Sequence, residues 1–401
     1  MIAEVVSIGT ELLLGEIVDT NAAHISRRLA EIGVDHLHSA TVGDNQGRIV
    51  AVLQMALQRA DVVITTGGLG PTVDDLTRQA VAQVAGRQLV SPPGLLDKIE
   101  AYFLRRGFTM TDNNRQQAFV PEGSIVIENP VGTAPAFVTE IGSHAVICLP
   151  GVPREMTYLL DTRVLPFLTE RMGQPAVIVS RWIHTVGIGE SVVDQMISDF
   201  MHSTSPTVGT RAHPGQTDVC ITSKASTRDQ ALRALDVMEA AIRERLGPVV
   251  YGVDGDTLPD LVVSRLIEHK LTLAVANTVT GGSIADSLTS ASGGQAVLKW
   301  AVAAADSQAL ALQLGIPAIE DLELRVSSIA EALCRSYGAD LGLAVVQEPA
   351  EDAPLHIALA SAQGVSQHSW PSRGRADDAQ KWTWNYALDA VRRHLLSCGA
   401  V

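Results

Sequence analysis

With 401 residues and a hydrophobic fraction of 46%, the chain has room for two or three cores at roughly 150 residues per domain. A net charge of −14 argues against nucleic acid and anionic membrane surfaces as partners. The scattered cysteines Cys148, Cys220, Cys334 and Cys398 form no CxxC pair, the N-terminus lacks a basic leader, and no run of about 18 apolar residues exists. Together these predict a cytoplasmic location with reduced thiols.

Residues 1 to about 170 alternate strand and helix patterns. Ala3 to Ile8 reads as a strand that runs into Gly9-Thr10-Glu11. A helix follows from Asn21 to Ile32, with Ala22, Ile25, Leu29 and Ile32 on one face and Gly33 at its end; Thr20 or Asn21 suits its cap. His38 to Val42 reads as a strand, Gly43-Asp44-Asn45 as a turn, and Gln46 to Arg59 as a helix. The β-branched run Asp61 to Ile64 then opens onto the most informative segment, TTGGLGPTVDDLT. Gly67, Gly68 and Gly70 permit a sharp turn and a close backbone approach to a ligand. Thr72 or Asp74 suits the cap of the helix that continues through Leu76 and Val81. A strand, a Gly-rich turn and a helix start present N–H groups to phosphate, but Asp74 and Asp75 would repel it unless a cation intervened. The segment is neither a P-loop nor a dinucleotide fingerprint; a tight turn with an acidic helix start is its plainer reading. His144 to Leu149 is a further strand, Pro150-Gly151-Val152-Pro153 its exit, and Glu155 to Leu168 a helix. The alternation predicts a parallel sheet with helices on both faces, and the loops after Ile8 and Thr66 can face one crevice at its carboxyl edge.

From about 175 to 252 the pattern changes to a compact α+β unit. It has strands at Val177 to Thr185 and Gln216 to Ser223, and helices at Ile188 to Phe200 and Asp229 to Leu246. The remainder is a second α/β domain. Its helices are Leu258 to Glu268, Ser328 to Tyr337 and Ala376 to Leu396, and its strands are Leu271 to Ala276, Leu341 to Val346 and Leu355 to Ala360. A second candidate loop lies at Thr278 to Gly282.

In order along the chain, SIGTELLLGEIVDTNAAHISRRLAEIGV, TVGDN, TTGGLGPTVDDLT, NRQQAFVPEGS, NPVGTAPAF and LPGVPREM resemble the CinA family of competence/damage-inducible proteins, over nearly the whole length. The resemblance implies three domains: 1–172 with the molybdopterin-binding-like fold of the MogA, MoaB and gephyrin type, 173–253 a KH-like connector, and 254–401 a nicotinamide mononucleotide deamidase-like domain. It also implies a pyrophosphatase that acts on ADP-ribose or a related dinucleotide with a divalent metal (Mg, Mn or Co), and a homodimer. In the last domain the family's AESCTGG motif becomes Ala276-Asn277-Thr278-Val279-Thr280-Gly281-Gly282, placing Thr278 where the family has its serine nucleophile. The family's tyrosine and lysine become Ala305 and Leu310, and its GIAGPxGG turn becomes Gln347-Glu348-Pro349. A hydroxyl without a base is poorly activated, so Thr278, Thr280, Gly281 and Gly282 read as a degenerate deamidase site.

In the first domain, Asp44 and Asp75 fall where the resemblance puts metal-organising acids; Asp44 also fits a plain turn. Glu11 fits a metal ligand, a general base or a helix-start carboxylate, and Asp74 an assisting acid or a cap. Thr10, Asn21, Thr66, Gly67, Gly68, Gly70 and Thr72 suit phosphate and ribose contacts. Asn114, Gln117, Gly132 and Thr133 suit a base or ribose. Metal-dependent hydrolysis is the first expectation, nucleotide or pterin binding without turnover the second, and deamidation through Thr278 the last.

Overall fold

The computed structural model describes all residues except 174–175, 351–352, 372–375 and 399–401. The chain divides into two compact units, 1–179 with 223–233, and 180–222 with 234–401.

The first unit is built on a six-stranded sheet. Its elements are β1 (Ile2–Ile8), α1 (Thr20–Glu31), β2 (Asp35–Val42), α2 (Gln46–Ala56), β3 (Val62–Thr66), α3 (Thr77–Ala85), α4 (Leu95–Arg105), β4 (Ile125–Ile127), β5 (Ala136–Ile141), β6 (His144–Leu149), α5 (Pro153–Leu159) and α6 (Leu165–Met172). The strand order is β2-β1-β3-β6-β5-β4. β2, β1, β3 and β6 are mutually parallel, whereas β5 and β4 return antiparallel. The all-parallel expectation therefore fails at one edge, where Gly142-Ser143 closes a tight hairpin between β5 and β6. Both faces of the sheet are covered, which is why its central strands read as unbroken apolar runs. Val5, Ile64 and Ile147 pack with Ile25 and Leu29 of α1 and Leu159 of α5. Val6, Val63 and Val146 pack with Ile49 and Leu53 of α2 and Val81 of α3. Each fully buried Val, Leu or Ile contributes about 1.5–3 kcal/mol, so this double-sided core fixes the strand ends.

The second unit carries two sheets. The smaller joins β7 (Val177–Val186), β8 (Thr207–His213), β9 (Gln216–Ala225) and β10 (Val250–Val253) in the order β8-β9-β7-β10, with helices α7 (Glu190–Ile197) and α8 (Arg228–Leu246). The larger has α9 (Leu258–His269), β11 (Leu273–Asn277), α10 (Ser283–Ser290), β12 (Leu298–Ala303), α11 (Ser307–Gln313), α12 (Leu322–Tyr337), β13 (Leu341–Gln347), β14 (Leu355–Ser361), β15 (Gly364–Trp370) and α13 (Ala376–Cys398). Its order is β12-β11-β13-β14-β15, parallel through β13 and antiparallel beyond. Among the described residues no helix is long and apolar enough to cross a membrane.

Candidate functional site

Three adjacent parallel strands, β2, β1 and β3, end at one edge of the first sheet, and each is followed by a carboxylate-bearing turn. After β1, the Thr10 backbone N–H and hydroxyl both donate to Asp44 Oδ2, at 2.8 and 2.7 Å, and the Asp44 N–H returns a bond to Thr10 Oγ1 at 3.2 Å. Asp44, after β2, thus pins the turn after β1. Glu11 lies exposed beside it, its carboxylate against Gly9, where a Cβ would stand 2.5 Å from Oε1.

After β3 the glycines serve approaches within the protein itself. Gly67 has φ +106°, and a Cβ there would lie 2.1 Å from the Ile8 carbonyl oxygen; at Gly68, φ +65°, it would lie 2.1 Å from Thr77 Oγ1. Asp75 closes the loop: Oδ1 accepts from the Gly70 N–H at 2.7 Å, and Oδ2 from the Thr72 N–H at 2.8 Å and the Thr72 hydroxyl. Three more side chains hold the loop carbonyls from behind. Gln116 Nε2 donates to Thr72 O at 2.8 Å, Gln117 Nε2 to Leu69 O at 3.4 Å, and Arg78 to Leu69 O and Gly70 O. With its carbonyls so occupied, the loop leaves the Gly68, Leu69 and Val73 N–H groups without acceptors among the described residues.

Arg78 is 1% exposed, and burial pushes its guanidinium down to about 10 while the Asp75 charge opposes that shift. Sequence reasoning missed it. The signal was a charged residue on the buried stripe of α3, at 78, 81 and 82. Asp74 is exposed, and its carboxyl is held below the usual range by the Thr72 hydroxyl and its own backbone N–H.

Two capping expectations are corrected. α3 begins at Thr77 with Leu76 at its N-cap and no side-chain cap: Thr72 is spent on Asp75 within the loop, and Asp74 lies exposed three residues before the helix. α1 is capped by Asp19, which accepts from the Ala22 N–H at 2.9 Å, not by Thr20 or Asn21. Asn21 instead ties strand ends together. Its Nδ2 donates to Thr66 Oγ1 at 3.0 Å and Gly151 O at 2.8 Å, while the Thr66 hydroxyl donates to Pro150 O at 3.1 Å. Among the described residues, buried Asn21 Oδ1 and Gln117 Oε1 have no hydrogen-bond partner.

The remaining residues fall elsewhere. Asn114 is buried and bonds Thr111 Oγ1 at 2.7 Å, within its own 3-10 turn. Gly132 and Thr133 line a separate cavity of about 360 Å³ with Asn129, Lys98 and Tyr102. Glu155, another missed residue, lies so close to Gly132 that a Cβ there would stand 1.9 Å from its carboxylate. Asn129 Nδ2 donates to Glu155 Oε2 at 2.6 Å, but burial still pushes the Glu155 carboxyl upward.

In the second unit the Thr278 hydroxyl donates to Gln347 O at 2.8 Å and accepts from the Gln347 N–H at 2.9 Å. The side chain clamps β11 to β13. Asn277 Oδ1 accepts from the Thr280 N–H and hydroxyl at 3.1 Å, and its Nδ2 donates to Gly281 O at 3.0 Å, shaping the turn through Gly282. Leu310, in the place of the expected lysine, is fully buried in the core.

Among the described residues no group of three or more His, Cys, Asp or Glu side chains is placed to hold a metal. A cation held at the strand-end cluster would complete its shell with water or ligand oxygens. That suits magnesium, which binds through one or two carboxylates plus phosphates.

Three family patterns match the chain: "Probable molybdopterin binding domain" over 4–170, "Damage-inducible protein CinA KH domain" over 180–252, and "CinA C-terminal domain" over 255–395. A relative from Alkaliphilus oremlandii, named as competence-damage inducible, is 38% identical over 412 aligned positions, covering 99% of both chains. The chain belongs to the CinA family. A CinA-like protein of Dictyoglomus thermophilum is 35% identical over 99% of this chain and 100% of its own. The crystal structure of a CinA protein from Thermoplasma acidophilum is 35% identical, covers 42% of this chain and 97% of its own, and superposes with a TM-score of 0.38. The KH-like and C-terminal CinA domains accordingly follow a molybdopterin-binding-like domain in this chain.

Proposed function

We propose that the first unit of this CinA-family chain is a metal-dependent nucleotide pyrophosphatase that hydrolyses the diphosphate of ADP-ribose or a related dinucleotide to two monophosphates. One observation carries the reading: Glu11, Asp44 and the Asp74-Asp75 pair follow three adjacent parallel strands at one sheet edge, beside free loop N–H groups. Amides alone would suit a phosphate, but the carboxylates would repel it, so the pairing of the two calls for a cation. When bound, such an ion neutralises the diphosphate and lowers the pKa of a coordinated water.

The chain's own residues supply position and proton handling. The Gly68, Leu69 and Val73 N–H groups donate to phosphate oxygens. Asp44 offers Oδ1, since Oδ2 is committed to Thr10. Exposed Glu11 accepts the proton of the attacking water, and Asp74, ionised at neutral pH, adds negative charge at the mouth.

A second reading, binding without turnover, is favoured by Asp75, whose two oxygens are both spent on the loop. Purified full-length protein incubated with ADP-ribose and Mg²⁺, Mn²⁺ or Co²⁺ separates the two readings. The hydrolase forms AMP only with metal. Tight ADP-ribose binding with no AMP under any metal leaves the binding protein. Nicotinamide mononucleotide is expected to release no ammonia, since Thr278 is held by Gln347.

A further inference from the structure

In the loop after β3, the backbone N–H groups of Gly68, Leu69 and Val73 lack acceptors among the described residues. A trans peptide is planar, with its C=O and N–H directed to opposite sides. Where an N–H points is therefore set by what holds the carbonyl of the residue before it. For these three groups the carbonyls are those of Gly67, Gly68 and Thr72.

One residue holds the first two. The Thr77 hydroxyl donates to Gly67 O at 2.9 Å, and the Thr77 backbone N–H donates to Gly68 O at 3.3 Å. Both carbonyls are thus drawn to the start of α3, which turns the Gly68 and Leu69 N–H groups away from it. Successive N–H groups turned to one side form a concavity that favours an anion. The third carbonyl is held by Gln116, whose Nε2 donates to Thr72 O at 2.8 Å beside the Asp75 N–H at 3.1 Å. The turn is also tied at its entry, where the Gly67 N–H donates to Leu149 O of β6 at 3.1 Å.

Thr77 is fully buried, so its hydroxyl touches neither solvent nor ligand and acts only through the loop. The fit is close: a Cβ at Gly68 would stand 2.1 Å from Thr77 Oγ1, so the hydroxyl fills space that only glycine leaves. A carbonyl that accepts a hydrogen bond polarises its own peptide and makes the N–H on the far side a stronger donor. Arg78 and Asp75 serve a different plane. Arg78 donates to Leu69 O, and Asp75 Oδ1 accepts from the Gly70 N–H of the same peptide.

We propose that Thr77 and Gln116 are positioning residues for the diphosphate, on the reading of this loop as its binding site. Thr77 aims the Gly68 and Leu69 N–H groups at phosphate oxygens, and Gln116 aims that of Val73.

The test is calorimetric titration of the full-length protein, with Mg²⁺ present, by an ADP-ribose analogue carrying a methylene between its phosphorus atoms. Steady-state hydrolysis of ADP-ribose is measured beside it. Thr77→Val exchanges the hydroxyl for a methyl. It should weaken analogue binding at least about tenfold and raise KM by a similar factor, with a smaller change in kcat. Thr77→Ser keeps the donor and should stay within about threefold of the unaltered protein. Gln116→Leu, at a half-buried position that tolerates the change, should weaken binding about three- to tenfold. Titrations are run well below each variant's unfolding midpoint, where a hydrogen bond that only stabilises the fold would leave affinity unchanged. Unchanged affinity in Thr77→Val or in Gln116→Leu would overturn that residue's assignment, even if hydrolysis stands. Thr77→Ser as weak as Thr77→Val would trace the loss to packing and overturn it too. Analogue binding without AMP from ADP-ribose would overturn the hydrolase and leave the assignment to be decided by the same affinities. No binding by the unaltered protein would overturn both.

Discussion

Asp75→Ala separates a loop clamp from a catalytic ornament. The substitution removes three hydrogen bonds, from the Gly70 N–H at 2.7 Å, the Thr72 N–H at 2.8 Å and the Thr72 hydroxyl. At about 0.5–1.5 kcal/mol each the sum is about 1.5–4.5 kcal/mol, and the partial exposure of Thr72 favours about 2–3 kcal/mol. Arg78, 1% exposed, also loses the nearest opposing charge, which pushes the cost upward. For domains of about 150–250 residues, 1 kcal/mol moves the midpoint by about 2–4 °C, so the first unit should lose about 4–12 °C by calorimetry. Asp75→Asn should fare little better. Its single carbonyl oxygen can serve one side of the loop, and its NH₂ then faces a second N–H donor. A shift below about 1 °C in both variants would refute the clamp.

Other outcomes follow from the same geometry. Gly67→Ala sets a Cβ 2.1 Å from Ile8 O at φ +106° and should cost at least about 3 kcal/mol, whereas Gly86→Ala, with open space and φ +64°, should cost only about 1–2 kcal/mol; urea unfolding compares them. Thr278→Val breaks the two bonds to Gln347 and should destabilise the second unit by about 1–3 kcal/mol, while Thr278→Ser should yield no ammonia from nicotinamide mononucleotide in a coupled assay. The His184–Asp218 pair sets a pH window. The Asp218 hydrogen bond raises the His184 pKa, so its stabilisation is full below about 6.5 and is lost as pH rises through the higher folded value. Burial pushes Asp218 up, but His184, His213 and Arg211 more than offset it, so its contribution holds above about 3.9 and is lost as pH falls through its lowered value. Asp218→Asn should flatten the stability profile of the second unit on both sides; an unchanged profile would contradict the coupling.

Strand ends were the most legible part of the chain. The runs before Gly9, Gly67 and Pro150 are buried parallel strands, and apolar continuity identifies those well, whereas the run before Gly43 is a largely exposed edge strand. The antiparallel return through Ala136–Ile141 was not read, because its glycine and prolines just upstream resemble a loop. Edge strand β8 and half-exposed β15 lacked an apolar run for the same reason that they lie at sheet edges. At the site, sequence spacing brought Thr10, Asp44 and the 67–75 loop to one edge, but could not say which partner each polar group takes. Asp75 turned inward to the loop, Asn21 to Thr66 and Gly151, and Asp19 took the cap. The Asn21 contacts cross 45 and 130 residues, which no local pattern encodes, whereas Asp75 and Asp19 take partners only five and three residues away, where several neighbouring acceptors compete for the same N–H groups.

The central claim is a cation site completed by the substrate. Titration of Mn²⁺ into the full-length protein, followed by electron paramagnetic resonance with and without an ADP-ribose analogue carrying a methylene between its phosphorus atoms, tests it directly. Weak Mn²⁺ binding to the protein alone is expected, at least about tenfold tighter with the analogue and reduced again by Asp44→Asn, which keeps an acceptor for Thr10 but removes the charge. Equal Mn²⁺ affinity with and without the analogue, or no change in Asp44→Asn, would contradict it.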